Sequence, residues 1–105
     1  MRQREMDVLN ILFSNTEPMT ASEVVSKMQD LTQSTVTVAL RNLLNSGYVE
    51  VIGKTYSGTV LSRTYRPTEK AREAVVEHLL EEYESIRSVI SPKELCDQIQ
   101  KRFKD

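Results

Sequence analysis

The sequence predicts a mainly α-helical chain with one small β-hairpin, and two observations between Thr32 and Arg66 carry that prediction. The first is an apolar stripe at helical spacing that ends at a glycine. The second is a pair of segments rich in β-branched and aromatic residues, with two glycines between them. A helix, a glycine stop and a β-ribbon in this order are typical of a winged helix-turn-helix.

The predicted third helix has one apolar and one polar face. Its apolar stripe consists of Val36, Leu40, Leu43 and Leu44, widened by Ala39. Its other face is short and hydrogen-bonding, contains no acid, and consists of Ser34, Thr35, Thr37, Val38, Arg41, Asn42 and Asn45. We expect Thr32 to be the N-cap and Gly47 to end the helix, because a left-handed residue after a helix is cheap only for glycine. The polar face suits the floor of a DNA groove.

The predicted ribbon follows at once. Tyr48–Ile52 and Val60–Arg66 roughly alternate apolar and polar residues, which is typical of strands. We place Gly53–Thr59 in the loop between them, so the hairpin loop is expected to be longer than the commonest turns.

Two short helices are predicted before the third. The first runs from Arg2 to Ser14, and its apolar face is formed by Met6, Leu9, Leu12 and Phe13, with Val8 and Ile11 at its margins. Thr20 and Glu23 have capping-box spacing, so we expect the second helix to start at Thr20 and to end near residues 29–30. Helices two and three then form the helix-turn-helix unit, with the third as the reader.

Two helices are predicted after the ribbon, starting at the N-caps Thr68 and Ser91. Ser91 is followed by Pro92 and Glu94, which predicts a second capping box. The fourth helix has an apolar stripe over about 20 residues, roughly 30 Å, which is longer than so small a core can cover. We expect the uncovered side chains to form a homodimer interface, in a set of Leu79, Tyr83, Ile86, Ile90, Leu95, Ile99 and Phe103. The alternative is that the fifth helix folds back over the fourth within one chain.

Length and composition fit this organisation. The chain has 105 residues, of which 39% are hydrophobic and 28% charged, and we divide it into a DNA-binding domain at 1–67 and a helical dimerisation region at 68–105. No apolar run approaches the roughly 20 residues of a membrane span, and no signal peptide opens the chain, so we expect a cytoplasmic protein.

The sequence offers little for catalysis. The single histidine, His78, and the single cysteine, Cys96, lie on different predicted helices and form no metal-ligand cluster. We therefore expect no enzyme activity, no metal and no cofactor. Both residues are interpreted as ordinary structural or surface residues.

Charge is distributed unevenly although the net charge is only −1. Residues 31–66 contain four basic side chains and one acid, a local charge of +3. Residues 69–84 contain six glutamates and two basic side chains, a local charge of −4. Phosphates attract the first segment and repel the second, so the central segment is the one expected to face DNA.

The candidate DNA contacts fall into three groups. Gln33, Thr37 and Arg41 are best placed to reach base edges, since Gln suits adenine and Arg suits guanine. Ser34, Thr35 and Asn42 are expected to donate to phosphates. Lys54, Arg63 and Tyr56 belong to the wing, where the alternative is an ordinary exposed hairpin.

With these residues placed, the chain resembles the penicillinase repressor family of dimeric winged-helix repressors. The resemblance covers Glu5–Pro67. It rests on Met6–Leu12 for the first helix, Met19–Val25 for the opening of the second, Thr35–Val36 and Leu40–Gly47 for the reader helix and its stop, and Tyr65–Pro67 for the exit from the wing. It implies that Thr35, Thr37, Val38 and Asn42 face DNA and that the C-terminal helices mediate dimerisation.

Two features depart from that family. The Asn–Phe bond at which the resistance repressors are cleaved has no counterpart, because Arg102 precedes Phe103, so induction by proteolysis is not expected. The wing is also longer, and Arg66–Ala71 resembles the wing exit of MarR-like and PadR-like regulators, which are the close alternatives.

The sequence thus predicts a homodimeric repressor of a palindromic operator in double-stranded DNA, with no membrane partner and with an effector or sensor left open. The competing interpretation is a winged helix that binds other proteins and not DNA.

Overall fold

The computed structural model describes residues 1–104. Its elements are α1 (Gln3–Ser14), α2 (Ala21–Ser26), α3 (Gln33–Asn45), β1 (Val49–Ser57), β2 (Val60–Pro67), α4 (Glu69–Ile86) and α5 (Pro92–Arg102). They form two compact units, Met1–Val75 and a second that begins at Val76. The predicted class, mainly helical with a β-hairpin wing, is confirmed. None of the helices in the described residues is long and apolar enough to cross a membrane.

The core of the first unit lies between α1, α2, α3 and the base of the wing. Its buried apolar side chains are Val8, Leu9, Leu12, Met19, Val24, Val36, Ala39, Leu40, Leu43, Val49 and Ala71. The predicted stripe of α3 is therefore confirmed, with Leu44 half-buried at its edge. The prediction for Phe13 was wrong, since 39% of its surface is exposed. At about 100° per residue, Phe13 lies roughly 90° from the centre of the face that the buried residues Val8, Leu9 and Leu12 define.

Local side-chain hydrogen bonds start α2 and α3 where the sequence predicts. The Thr20 hydroxyl accepts from the Glu23 amide at 3.1 Å, and the Glu23 carboxylate accepts from the Thr20 amide at 3.0 Å, which completes the capping box. Thr32 caps α3 by accepting from the Thr35 amide. The predicted end of α2 was wrong: Lys27 and Met28 already bond to carbonyls three residues back, so the helix tightens and stops at Ser26.

Gly47 ends α3 as predicted. Its φ is +79°, its amide donates to the Leu44 carbonyl at 3.1 Å, and the Tyr48 amide donates to the Leu43 carbonyl at 2.8 Å. These two bonds are those of a Schellman motif, which satisfies the last carbonyls of a helix. The chain therefore turns directly from α3 into the wing.

The wing is longer and its loop shorter than the sequence predicts. The strands pair without a long loop up to Ser57 and Val60, so that only Gly58 and Thr59 connect them. Gly58 has a φ of +68°, which suits the first central position of a two-residue type II′ turn. The register shifts between Val51 and Gly53, which makes Ile52 the extra residue of a β-bulge. Gly53 itself pairs with Thr64, so it lies in β1 and not in the turn.

A third, very short strand contact, which was not predicted from the sequence, anchors the wing. Met19 and Tyr65 exchange two backbone hydrogen bonds, of 3.0 and 2.8 Å, and form an antiparallel bridge. Because Met19 immediately precedes the Thr20 cap, the bridge ties the start of α2 to the base of β2.

The two helices predicted after the wing form, but α4 is shorter than predicted. It ends at Ile86, so Ile90 lies in the connection to α5 and not on the α4 stripe. Ser91 caps α5 by accepting from the Glu94 amide at 3.2 Å. The reciprocal half of the predicted box is absent there, since the Glu94 carboxylate lies 3.4 Å from the Ser91 hydroxyl.

Candidate nucleic-acid interface

The outer surface of α3 is a polar ridge with one apolar residue. Gln33, Ser34, Thr37, Arg41 and Asn45 are exposed, Thr35 and Asn42 are half-buried, and Val38 is 43% exposed. These side chains face away from the core, as the helical spacing predicts.

Hydroxyl groups at the N-terminal end of α3 are partly committed to the helix itself. The Thr32 hydroxyl lies 3.1 Å from that of Ser34 and 3.0 Å from that of Thr35. The Thr37 hydroxyl donates to the Gln33 carbonyl at 2.8 Å, which leaves its oxygen as an acceptor and its methyl group as an apolar contact. A Thr in this state suits a base amine or a thymine methyl group.

The wing lies along one flank of this ridge. Gln33 and Thr37 of α3 line a groove together with Ser22 of α2 and with Ser62 and Arg63 of β2. The structure therefore brings the predicted wing residue Arg63 next to two predicted base-reading residues.

Lys54 and Arg63 lie directly opposite each other in the ribbon. Two like charges in this position destabilise a ribbon unless an anion lies between them. Tyr56 pairs with Leu61 two residues further along, and because side chains alternate, Tyr56 shares a face with Lys54. Tyr56 is 72% exposed, so this face offers two cations and an aromatic ring to a partner.

Ion pairing leaves the positive charge of the central segment on three side chains. Arg66 is paired with Glu50, whose carboxylate accepts from its Nε at 3.0 Å and from its terminal nitrogen. Among the ion pairs of residues 1–104, none involves Arg41, Lys54 or Arg63. The local charge of +3 thus belongs to the ridge and the wing.

The other flank of the ridge is formed by the start of α1. The sequence did not predict that α1 would lie at this site. Arg2, Arg4 and Glu5 line a groove together with residues of α3. The α3 side of that groove is formed by Ser34, Thr35, Val38, Ala39 and Asn42. Nothing in the local sequence signals this proximity, because it depends on how α1 crosses α3.

Residues predicted for dimerisation are gathered in the second unit. None of residues 76–104 is fully buried, although Leu79 is 55%, Ile86 52% and Phe103 68% exposed. Ile99 is exposed as well, whereas Tyr83, Ile90 and Leu95 are half-buried. The Tyr83 hydroxyl donates to the Ile90 carbonyl at 2.5 Å, which ties the connection back onto α4.

The histidine and the cysteine lie on different helices, His78 on α4 and Cys96 on α5. His78 lies 3.2 Å from Glu82 one turn along α4, and Cys96 is an exposed free thiol. Residues 1–104 contain no group of three or more His, Cys, Asp or Glu side chains that could hold a metal ion.

Comparison with known proteins gives a family and a fold. The model of the penicillinase repressor family matches residues 2–96, so the match extends beyond the wing into α5. A search of curated proteins gave no match.

Solved structures share the fold at low sequence identity. Bacillus subtilis PadR in complex with operator DNA has a TM-score of 0.59 and 16% identity over 75% of this chain, which spans only 48% of the PadR chain. The adhesin competence repressor AdcR of Streptococcus pyogenes has a TM-score of 0.59 and 20% identity, covering 98% of this chain and 77% of its own. Streptococcus pneumoniae FabT in complex with DNA has a TM-score of 0.55 and 22% identity, covering 93% and 68%.

Proposed function

The chain belongs to the penicillinase repressor family of transcriptional regulators, and from that membership we propose that it is a homodimeric repressor that binds a palindromic operator in double-stranded DNA. Family and fold are those of transcription regulators and not of enzymes. Because the operator of such a repressor is cytoplasmic, the protein is assigned to the cytoplasm.

The observation that carries the DNA-binding proposal is the acid-free α3 ridge with cations on both flanks. Arg41 lies on the ridge itself, Arg63 beside its wing flank, and Arg2 beside its α1 flank. A helix that enters a major groove has a phosphate strand on either side, so cations on both flanks of the ridge support this proposal.

Within that complex, Gln33, Thr37 and Arg41 contact base edges, and Ser34 and Thr35 contact the backbone. Val38, as the one apolar residue of the ridge, suits a thymine methyl group. Lys54 and Arg63 contact phosphates from the wing, with Tyr56 beside them. Residues 1–67 carry this DNA-binding function.

Residues 68–105 supply the homodimer. None of the side chains at residues 76–104 is fully buried, so the apolar residues among them need a covering partner. A second copy is the simplest partner, since one domain reads only a few bases, whereas two placed about 34 Å apart read successive turns of one groove.

A salt titration distinguishes this proposal from a protein-interaction module. Binding of wild-type protein to random duplex DNA is measured between low and moderate salt, and duplexes are selected from a random pool. We expect a steep loss of affinity with salt and enrichment of a palindrome. A flat salt dependence with no enriched sequence would favour the interaction module.

A further inference from the structure

One hydrogen bond connects the start of α1 to the α3 ridge. The Asn42 side-chain amide donates to the Glu5 carboxylate at 3.4 Å, across 37 residues of sequence. Both side chains are half-buried, and both line the groove between α1 and α3. An acid is therefore present beside a surface on which α3 itself has none.

The chemistry of the two groups determines which way the Asn42 amide points. A carboxylate only accepts hydrogen bonds, so the NH₂ group of Asn42 and not its carbonyl oxygen must face Glu5. One N–H is then used, and one N–H and the carbonyl oxygen remain for a partner. Among residues 1–104, the Asn42 side chain has no second hydrogen bond.

A phosphate is a poor partner for this arrangement. Its oxygens only accept, so the Asn42 carbonyl would stay unpaired, and the Glu5 carboxylate would lie close to a second negative charge. An adenine edge fits better, because in the major groove it offers an N7 acceptor and an N6 donor side by side.

We propose that Glu5 is a positioning residue that holds the Asn42 amide in the orientation that reads adenine. This inference rests on the proposed binding of DNA through α3, and it moves Asn42 from the phosphate contacts to the base contacts. Glu5 itself touches no DNA. The Glu5 carboxylate weakens binding because it is a negative charge near the DNA phosphates. This loss is offset because the Asn42 amide, which could otherwise turn by 180° and present the wrong edge, is held in one orientation.

The test compares base preferences of variants on the sequence that wild-type protein enriches from random duplexes. Affinity is measured for the enriched duplex and for each single-base change within it. Asn42→Ala and Glu5→Ala are both expected to lose about tenfold in preference for adenine, at the same position of each half-site. Glu5→Gln keeps an acceptor oxygen but adds an amide donor that can pair with the Asn42 carbonyl, so it is expected to retain only part of the preference while binding every duplex more tightly.

Asp7→Ala is the matched control, because Asp7 is another acid of α1 that does not itself line this groove. Its partners do line it: Gln3 donates to Asp7 at 2.8 Å and Arg4 pairs with it at 3.5 Å, so the variant disturbs the same flank without removing the bond between Glu5 and Asn42. It should retain the wild-type preference at every position. A structural role for Glu5 would change the melting temperature but no base preference.

Two results would overturn the inference: wild-type preference at every position in Glu5→Ala, or relaxation at different positions in Glu5→Ala and Asn42→Ala. If wild-type protein enriches no sequence, the proposed function fails, and the inference fails with it.

Discussion

Replacing Leu79 and Ile86 together by Asp should convert the proposed dimer into a monomer. Each side chain is exposed by about half, at 55% and 52%, and full burial of a Leu or Ile contributes roughly 1.5–3 kcal/mol. Covering the exposed half therefore contributes about 1 kcal/mol per side chain, or about 4 kcal/mol for two residues in two chains. That loss alone weakens association roughly a thousandfold. Burying the new carboxylates costs several kcal/mol more per charge, by the usual order of magnitude.

Sedimentation equilibrium measures this directly. Wild-type protein should be a dimer at tens of micromolar, and the double variant a monomer, while amide NMR signals of residues 3–67 stay in place. Val89→Asp is the control for an added carboxylate: it introduces one Asp at a side chain that is 83% exposed and outside the proposed interface, so it should remain a dimer. A double variant that stays dimeric would refute the assignment of the stripe, and a monomeric wild-type protein would refute the dimer.

Three further outcomes are expected. Gly47→Ala should lower the free energy of unfolding by about 1–2 kcal/mol, because the added Cβ meets only ordinary contacts but φ stays at +79°; an unchanged thermal melt would contradict the Schellman account. Thr20→Ala should cost about 1 kcal/mol in the same assay by removing a capping hydrogen bond, and Ser22→Ala, at an exposed position, should not. Changing Lys54 and Arg63 together to Ala should shallow the salt slope of DNA binding by up to about two without altering base preference, and a preserved slope would remove the wing from the interface.

The sequence predicts those parts of the fold that local chemistry determines. Thr20, Thr32 and Ser91 cap helices because a hydroxyl can accept from an amide three residues on, which is visible as spacing alone. The positive φ at Gly47 is also a local effect, because glycine alone adopts it at little cost after a helix. These elements depend on neighbours within a few residues, and the structure confirms them.

The predicted element boundaries were wrong where packing or strand pairing overrides the local preference of a residue. Glycine is common in turns, so the sequence predicts Gly53 in the loop. Cross-strand pairing nevertheless continues past it: Gly53 pairs with Thr64, directly after a bulge at Ile52. Ile90 continues the periodicity of α4, but Ser91 must adopt an extended ψ of 158° to cap α5 ahead of Pro92, so the chain leaves the helix first. The apolar repeat alone does not show that capping of α5 competes with continuation of α4.

The α3 part of the candidate site could be predicted from the sequence, but the parts contributed by other elements could not. The α3 ridge follows from helical spacing, because the core side fixes which residues point outward. The proximity of Glu5 to Asn42 and of Arg63 to Gln33 depends on how separate elements cross, and no local pattern encodes it.

Arg41→Ala tests the central claim, that α3 reads operator sequence, most directly. Arg41 is exposed on a ridge without acids, and a bidentate contact from Arg to guanine is worth roughly 1–3 kcal/mol of discrimination. Affinities of wild-type and variant protein are measured for the enriched duplex and for its single-base changes. We predict weaker binding and a relaxed preference at one position per half-site. Unchanged affinity and unchanged preference in a stably folded Arg41→Ala protein would contradict the claim.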